Sequence, residues 1–308
     1  MSYIFEALQR AEAERSGANP SKDADSVADL LQKYEQDIDR KKEPAESLAS
    51  TQQDSLVARS FVSAKVLRPA PAEDARLVCM TDQGSMAAEK FRVLGLKLRH
   101  MRERKKVQRI VITSSIPQEG KSLTAANLAL NQSRSKILNT VLIDGDLRRP
   151  ELGNRFGFSR SLPGLSEVLR GERQLSEVVY KLEGTGLWFV PAGVTPENPI
   201  EVMQSGRLQP LLEELGTFFD WIIIDTPPAR PLADTPLWMR LADGVLLVTR
   251  EGVCEKKQLE RTVELLDPST VLGVVVNSCD SGTEQKYYYS RYGSAAAGKA
   301  PSSAVAKD

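Results

Sequence analysis

The stretch from Arg109 to Arg134 constrains the fold more than any other part of the chain. Arg109–Ser114 is an apolar run of the kind found in strands buried on both faces, and Lys121–Arg134 has the length and pattern of a helix. Between them lies the polar loop Thr113-Ser-Ser-Ile-Pro-Gln-Glu-Gly-Lys-Ser122. Such a strand-to-helix turn aims backbone N–H groups and the positive end of a helix dipole at one point, where an anion binds. Gly120 lets the main chain pass close to that anion, Lys121 adds a positive charge, and the Ser122 hydroxyl is a hard oxygen ligand for a divalent cation. The pattern is that of a P-loop for ATP and Mg²⁺, with Ser115 in place of the usual first glycine. The nucleotide-binding set is Ser115, Gln118, Glu119, Gly120, Lys121, Ser122 and Leu123, with Ser122 also a metal ligand.

Further apolar runs alternate with helix-length segments. Thr140–Asp144, Leu187–Pro191, Trp221–Asp225, Gly244–Thr249 and Leu272–Asn277 read as strands. Ser85–Arg104, Gly206–Phe218 and Glu255–Leu266 read as helices. This alternation predicts an α/β fold: a doubly wound, mostly parallel sheet of the P-loop NTPase type. Ligands of such sheets bind at the C-terminal ends of the strands. Two strand ends carry carboxylates there. Thr140-Val-Leu-Ile-Asp-Gly-Asp-Leu-Arg-Arg-Pro150 places Asp144 and Asp146, and Trp221-Ile-Ile-Ile-Asp-Thr-Pro-Pro228 places Asp225. Lys121, Asp144, Asp146 and Asp225 form the candidate catalytic set, with Asp144 and Asp225 as metal ligands beside Ser122. Arg148 and Arg149 suit a phosphate or an acidic partner, or a solvated face. Asn277, at the end of the last strand, suits either the adenine edge or a turn cap.

Residues 80–285 are expected to form the folded domain, 1–79 an arm and 286–308 a tail. In the arm, Ile4, Phe5, Leu8 and Ala11 share one face of a short amphipathic helix, either docking a partner or folding back on the domain. Residues 16–60 are polar and suit a disordered linker with at most one weak helix, about Ser26–Arg40, and residues 61–80 look extended. The tail holds Tyr287, Tyr288, Tyr289 and Tyr292, four of the seven tyrosines in the chain. Three consecutive tyrosines cannot share a buried face. They suit phosphoacceptors presented on a flexible tail, or an aromatic contact patch.

Composition excludes several classes. Lys+Arg and Asp+Glu both total 41, so no bulk basic excess points to nucleic acid. The three cysteines have no zinc-ligand spacing and fit a reducing compartment. The N-terminus lacks a signal-peptide pattern, and no apolar stretch is long enough for a transmembrane helix.

Together the loop, Val-Leu-Ile-Asp-Gly-Asp-Leu-Arg-Arg-Pro, Ile-Ile-Ile-Asp-Thr-Pro-Pro, Ala-Asp-Gly-Val-Leu-Leu-Val-Thr-Arg and the tyrosine cluster resemble the bacterial tyrosine kinases of capsule and exopolysaccharide biosynthesis. The resemblance spans roughly residues 80–292. It implies an ATP-dependent autokinase that phosphorylates its own tyrosine cluster and regulates polysaccharide polymerisation and export. Asp146 would orient or deprotonate the incoming tyrosine hydroxyl. The resemblance also implies a membrane-embedded chain-length regulator as activator, and a cytoplasmic kinase held at the inner membrane face by that partner. A homo-oligomer is implied as well, although the family's Glu-x-x-Arg-x-x-Arg motif is here Glu89, Arg92 and Gly95. Two other readings remain open. One is a non-catalytic nucleotide-binding scaffold. The other is a partitioning ATPase of the MinD/ParA type, although the extra lysine of that type is here Ile116.

Overall fold

A computed structural model of the chain describes residues 64–135, 137–158, 162–229 and 234–278. The helix expected over residues 1–15, the weak helix near 26–40 and the tyrosine cluster lie outside the described residues. Among these residues the strands are β1 (Val66–Leu67), β2 (Arg109–Ser114), β3 (Thr140–Asp144), β4 (Tyr180–Leu182), β5 (Leu187–Val190), β6 (Trp221–Asp225), β7 (Gly244–Arg250) and β8 (Val271–Asn277). They form one sheet in the order β1-β4-β5-β3-β6-β2-β7-β8. Every pairing is parallel except β4 with β5. The sheet is therefore the doubly wound, mostly parallel one that the alternating pattern predicts.

Helices cover both faces, which is why the central strands carry no polar alternation. In β3, Val141 and Ile143 pack into one core and Leu142 into the other. In β6, Ile222 and Ile224 face the first core while Trp221 and Ile223 face the second. The second core is closed by α1 (Val78–Thr81), α2 (Met86–Lys105) and α3 (Lys121–Gln132). The first is closed by α5 (Leu165–Arg170), α6 (Leu175–Val178), α7 (Pro199–Met203), α8 (Leu208–Phe218), α9 (Asp234–Met239) and α10 (Lys256–Val263), while α4 (Leu152–Arg155) sits with the second. Helix α2 starts at Ser85, whose hydroxyl accepts the Ala88 N–H, and ends at Lys106 in the left-handed conformation.

Two expectations need correction. Of the residues 61–80 expected to be extended, the described ones, 64–80, are not simply so, and the packed unit begins before residue 80. Val66 and Leu67 pair with β4 as β1, a 3₁₀ turn spans Glu73–Ala75, and Leu77 is fully buried against the second core. Apolar side chains separated by proline and alanine carry no periodicity, so the sequence pattern could not show that they pack. Between β3 and β5, α4, α5 and α6 are too short to leave a helical period.

Candidate functional site

Strand order brings the expected residues together. β2 lies beside β6, and β6 beside β3, so the loop after β2 and the carboxylates ending β6 and β3 share one edge. Ile112 is in register with Asp225, and Asp225 with Asp144. In-register neighbours of parallel strands point to the same side, so both carboxylates emerge beneath the P-loop.

Lys121 and Ser122 open α3. Gly120, just before them, has φ 96°, and a Cβ there would stand 2.1 Å from the Asn277 amide nitrogen. The positive φ favours glycine here, and any side chain would also displace the Asn277 amide. Gln118 also has positive φ, 66°, the left-handed conformation from which anion-binding backbone nests are built. Lys121 Nζ donates to Asp146 Oδ2 at 3.0 Å and lies 3.7 Å from Asp225 Oδ1. Burial opposes its charge, but Asp225 and Asp146 outweigh burial and hold the ammonium well above its ordinary pKa. The other Asp146 oxygen accepts the Arg149 N–H at 3.0 Å.

Asp144 and Asp225 are fully buried. Burial, with Asp225 beside it, pushes the Asp144 carboxyl well above its ordinary range. Burial likewise pushes Asp225 up to about 6, against the pull of Lys121 and the nearby Ser122 hydroxyl. Asp144 Oδ2 accepts the Leu152 N–H, but Asp144 Oδ1 and both Asp225 oxygens have no hydrogen-bond donor in normal geometry. Buried acceptors left without donors beside a phosphate cradle fit a hard divalent cation. Among the described residues no three acidic, histidine or cysteine side chains converge into a preformed metal cage.

Other expected residues have structural duties. Glu119 is buried, and its carboxylate accepts the Ile116 N–H at 2.8 Å, the Thr249 hydroxyl at 3.0 Å and the Arg250 N–H at 3.3 Å. It clasps the P-loop to the end of β7. Asn277 completes the clasp: its amide Nδ2 donates to the Glu119 carbonyl at 2.9 Å. This contact has the geometry of a loop cap, one of the two roles read for Asn277. Arg148 is held by Asp234 through Nε to Oδ2 at 2.5 Å and Nη2 to Oδ1 at 3.1 Å, while Arg149 is exposed. Ser115 is buried with its hydroxyl unpartnered, and Leu123 is half-buried on α3. The Glu119 clasp and the Arg148–Asp234 pair leave no periodic trace in the sequence. The one available signal was a glutamate in a strand-to-helix loop facing a threonine at a strand end.

With this geometry in view, comparison with known proteins decides the family. The chain is 32% identical over 217 residues to the tyrosine-protein kinase YwqD of Bacillus subtilis, covering 69% of this chain and 90% of YwqD. The chain belongs to the bacterial tyrosine-protein kinases. No protein-family model matches it. It is also 36% identical over 188 residues to a putative tyrosine-protein kinase, EpsB, of Ralstonia solanacearum, covering 60% of this chain and 24% of that much longer protein. Among solved structures, the kinase domain of the Escherichia coli tyrosine kinase ETK matches with a TM-score of 0.61 and 28% identity, over 65% of this chain and 79% of that one. The chimerical protein CapA2B2 matches with a TM-score of 0.62 and 28% identity, over 71% of this chain and 96% of that one. In this family member, as in the sequence reading, the P-loop and the three aspartates occupy one edge. No helix among the described residues is long and apolar enough to cross a membrane.

Proposed function

We propose that this chain is an ATP-dependent protein-tyrosine kinase whose acceptors are the tyrosines of its own tail, Tyr287, Tyr288, Tyr289 and Tyr292. The observation that carries this reading is the buried Lys121–Asp146 pair, with Asp225 beside it, at the mouth of a P-loop in a tyrosine-kinase family. The loop N–H groups and Lys121 hold the triphosphate. Ser122, Asp144 and Asp225 are the residues that would hold Mg²⁺, which supplies charge neutralisation at the phosphates. Triphosphate binding draws Lys121 toward the β- and γ-oxygens and releases Asp146 Oδ2. Asp146 then orients the tyrosine hydroxyl and accepts its proton as the phenolic oxygen bonds to the γ-phosphorus. The bond from that phosphorus to the ADP oxygen breaks in the same displacement, and no covalent enzyme intermediate forms.

By its resemblance to the capsule and exopolysaccharide kinases, the chain acts in polysaccharide polymerisation and export. A membrane-embedded chain-length regulator would hold it at the inner face of the membrane and activate it. Asp146→Asn tests the mechanism. It should keep ATP affinity within a few-fold and lose phosphotyrosine formation by on the order of 10²-fold or more. Wild-type transfer rates in this variant would remove Asp146 from the reaction.

A further inference from the structure

The opposite, N-terminal edge of the sheet has the reverse charge. The last turns of α2 enter β2 there, and the run from Lys97 to Arg109 holds one acidic residue, Glu103, against seven lysines and arginines. Lys97, Arg104, Lys105 and Lys106 are exposed. Lys97 and Arg104 lie seven residues apart, on one helix face. The nearby acids are already engaged: Asp220 pairs with Arg102, Asp243 with Arg109 and two backbone N–H groups, and Glu183 with Arg68.

Beside this patch, at the same edge, a cleft of about 1010 Å³ opens between the end of α3 and the β4–β5 turn. Two further exposed cations line it: Arg134 on one wall and, on the other, Lys181, whose ammonium lies 5.6 Å over the Trp188 ring. The loop that leads from α3 into β3 at this rim exposes Ile137, 39% accessible.

Exposed cations and an exposed aliphatic side chain on one edge match the chemistry of a bilayer surface. We propose that the N-terminal edge of the sheet binds the anionic headgroups of a phospholipid bilayer directly. The α2 cations meet the surface charge, the cleft takes a headgroup between Arg134 and Lys181, and Ile137 enters the acyl boundary. The nucleotide edge then faces away from the bilayer, open to ATP and the tail. This inference stands independently of phosphoryl transfer.

Co-sedimentation of the full chain with vesicles tests it. Phosphatidylglycerol–phosphatidylcholine vesicles should bind the chain, phosphatidylcholine alone should not, and high salt should release it. Lys97→Ala/Arg104→Ala/Lys105→Ala/Lys106→Ala should weaken binding by on the order of 10²–10³-fold, at roughly fivefold per cation. The same variant should bind ATP as the wild type does, which shows that it is folded. Ile137→Asn should weaken vesicle binding without changing its salt dependence. Three outcomes would overturn the proposal: no binding to anionic vesicles at low salt, equal binding by the alanine variant, or tighter binding to duplex DNA than to vesicles at the same salt. The second would assign membrane contact to the N-terminal arm, and the third would assign the patch to nucleic acid.

Discussion

Asp225 illustrates how a site of this kind trades stability for chemistry. Its carboxyl is fully buried, lacks a donor and is pushed from 3.8 up to about 6. A carboxyl with a raised folded pKa binds more protons folded than unfolded between those two values. Its presence therefore costs stability as pH rises from about 4 to about 6, and the full cost persists above that. Asp225→Asn should raise thermal stability at pH 7.5 by about 1–3 kcal/mol, at ~1.4 kcal/mol per pKa unit, and the gain should shrink by pH 4.5. The same variant should lose phosphoryl transfer. Denaturation curves at the two pH values check the sign, and a loss of stability at pH 7.5 would contradict the reading. Glu119 makes the opposite case. Glu119→Ala would strand the Ile116 and Arg250 N–H groups and the Thr249 hydroxyl, costing about 1–3 kcal/mol. Loosening of the loop should also raise KM for ATP more than it lowers kcat. Lys121, Asp144, Asp146 and Asp225 were legible in the sequence because a strand, a turn and a carboxylate recur in a fixed order. The clasp made by Glu119 was not, because it depends on which strand lies beside β2, and β7 is far away in sequence.

Among elements, the packing of α2 on α3 explains a departure from the family motif. Gly95 is buried, and a Cβ there would lie 2.2 Å from the Asn131 amide nitrogen of α3. The Gly95 carbonyl accepts from Gln132 Nε2 at 3.1 Å, and Arg99, one turn on, donates to Gln132 Oε1 at 2.8 Å. Glycine lets the two helices close on each other, and a side chain at 95 would have to displace the Asn131 amide. Arg92, the motif position that is kept, binds Glu89 and the Gln83 carbonyl of its own subunit. Gly95→Arg, which restores the motif, should destabilise the fold by about 1–3 kcal/mol through overpacking. Chemical denaturation measures the loss, and a gain in stability would show that α2 has room to spare. The long strands were legible because burial on both faces makes them continuous in Val, Ile and Leu. β1, β4 and the short helices α4–α6 were not, because their places are set by tertiary packing.

Across the whole molecule, zero net charge hides a strong polarity. Asp144, Asp146 and Asp225 crowd one edge of the sheet, and the cations of α2 crowd the other. Composition shows no bulk basic excess, but the fold separates the charges and gathers cations on one edge. β8, the last described strand, ends at the nucleotide edge. Phosphorylation adds about 1.5–2 negative charges per tyrosine. A fully phosphorylated tail should therefore be repelled from the acidic edge. The most direct test of the account is the intact mass of the chain after incubation with Mg·ATP, for wild type, Lys121→Met, and a variant with Tyr287, Tyr288, Tyr289 and Tyr292 changed to Phe. The cytoplasmic end of the activating membrane protein should be added where it is known. Stepwise gains of one phosphate in the wild type alone, mapped to the tail, are the predicted result. A chain that binds ATP yet gains no phosphate with its activator present, or gains as much in the Lys121→Met variant, would contradict the account.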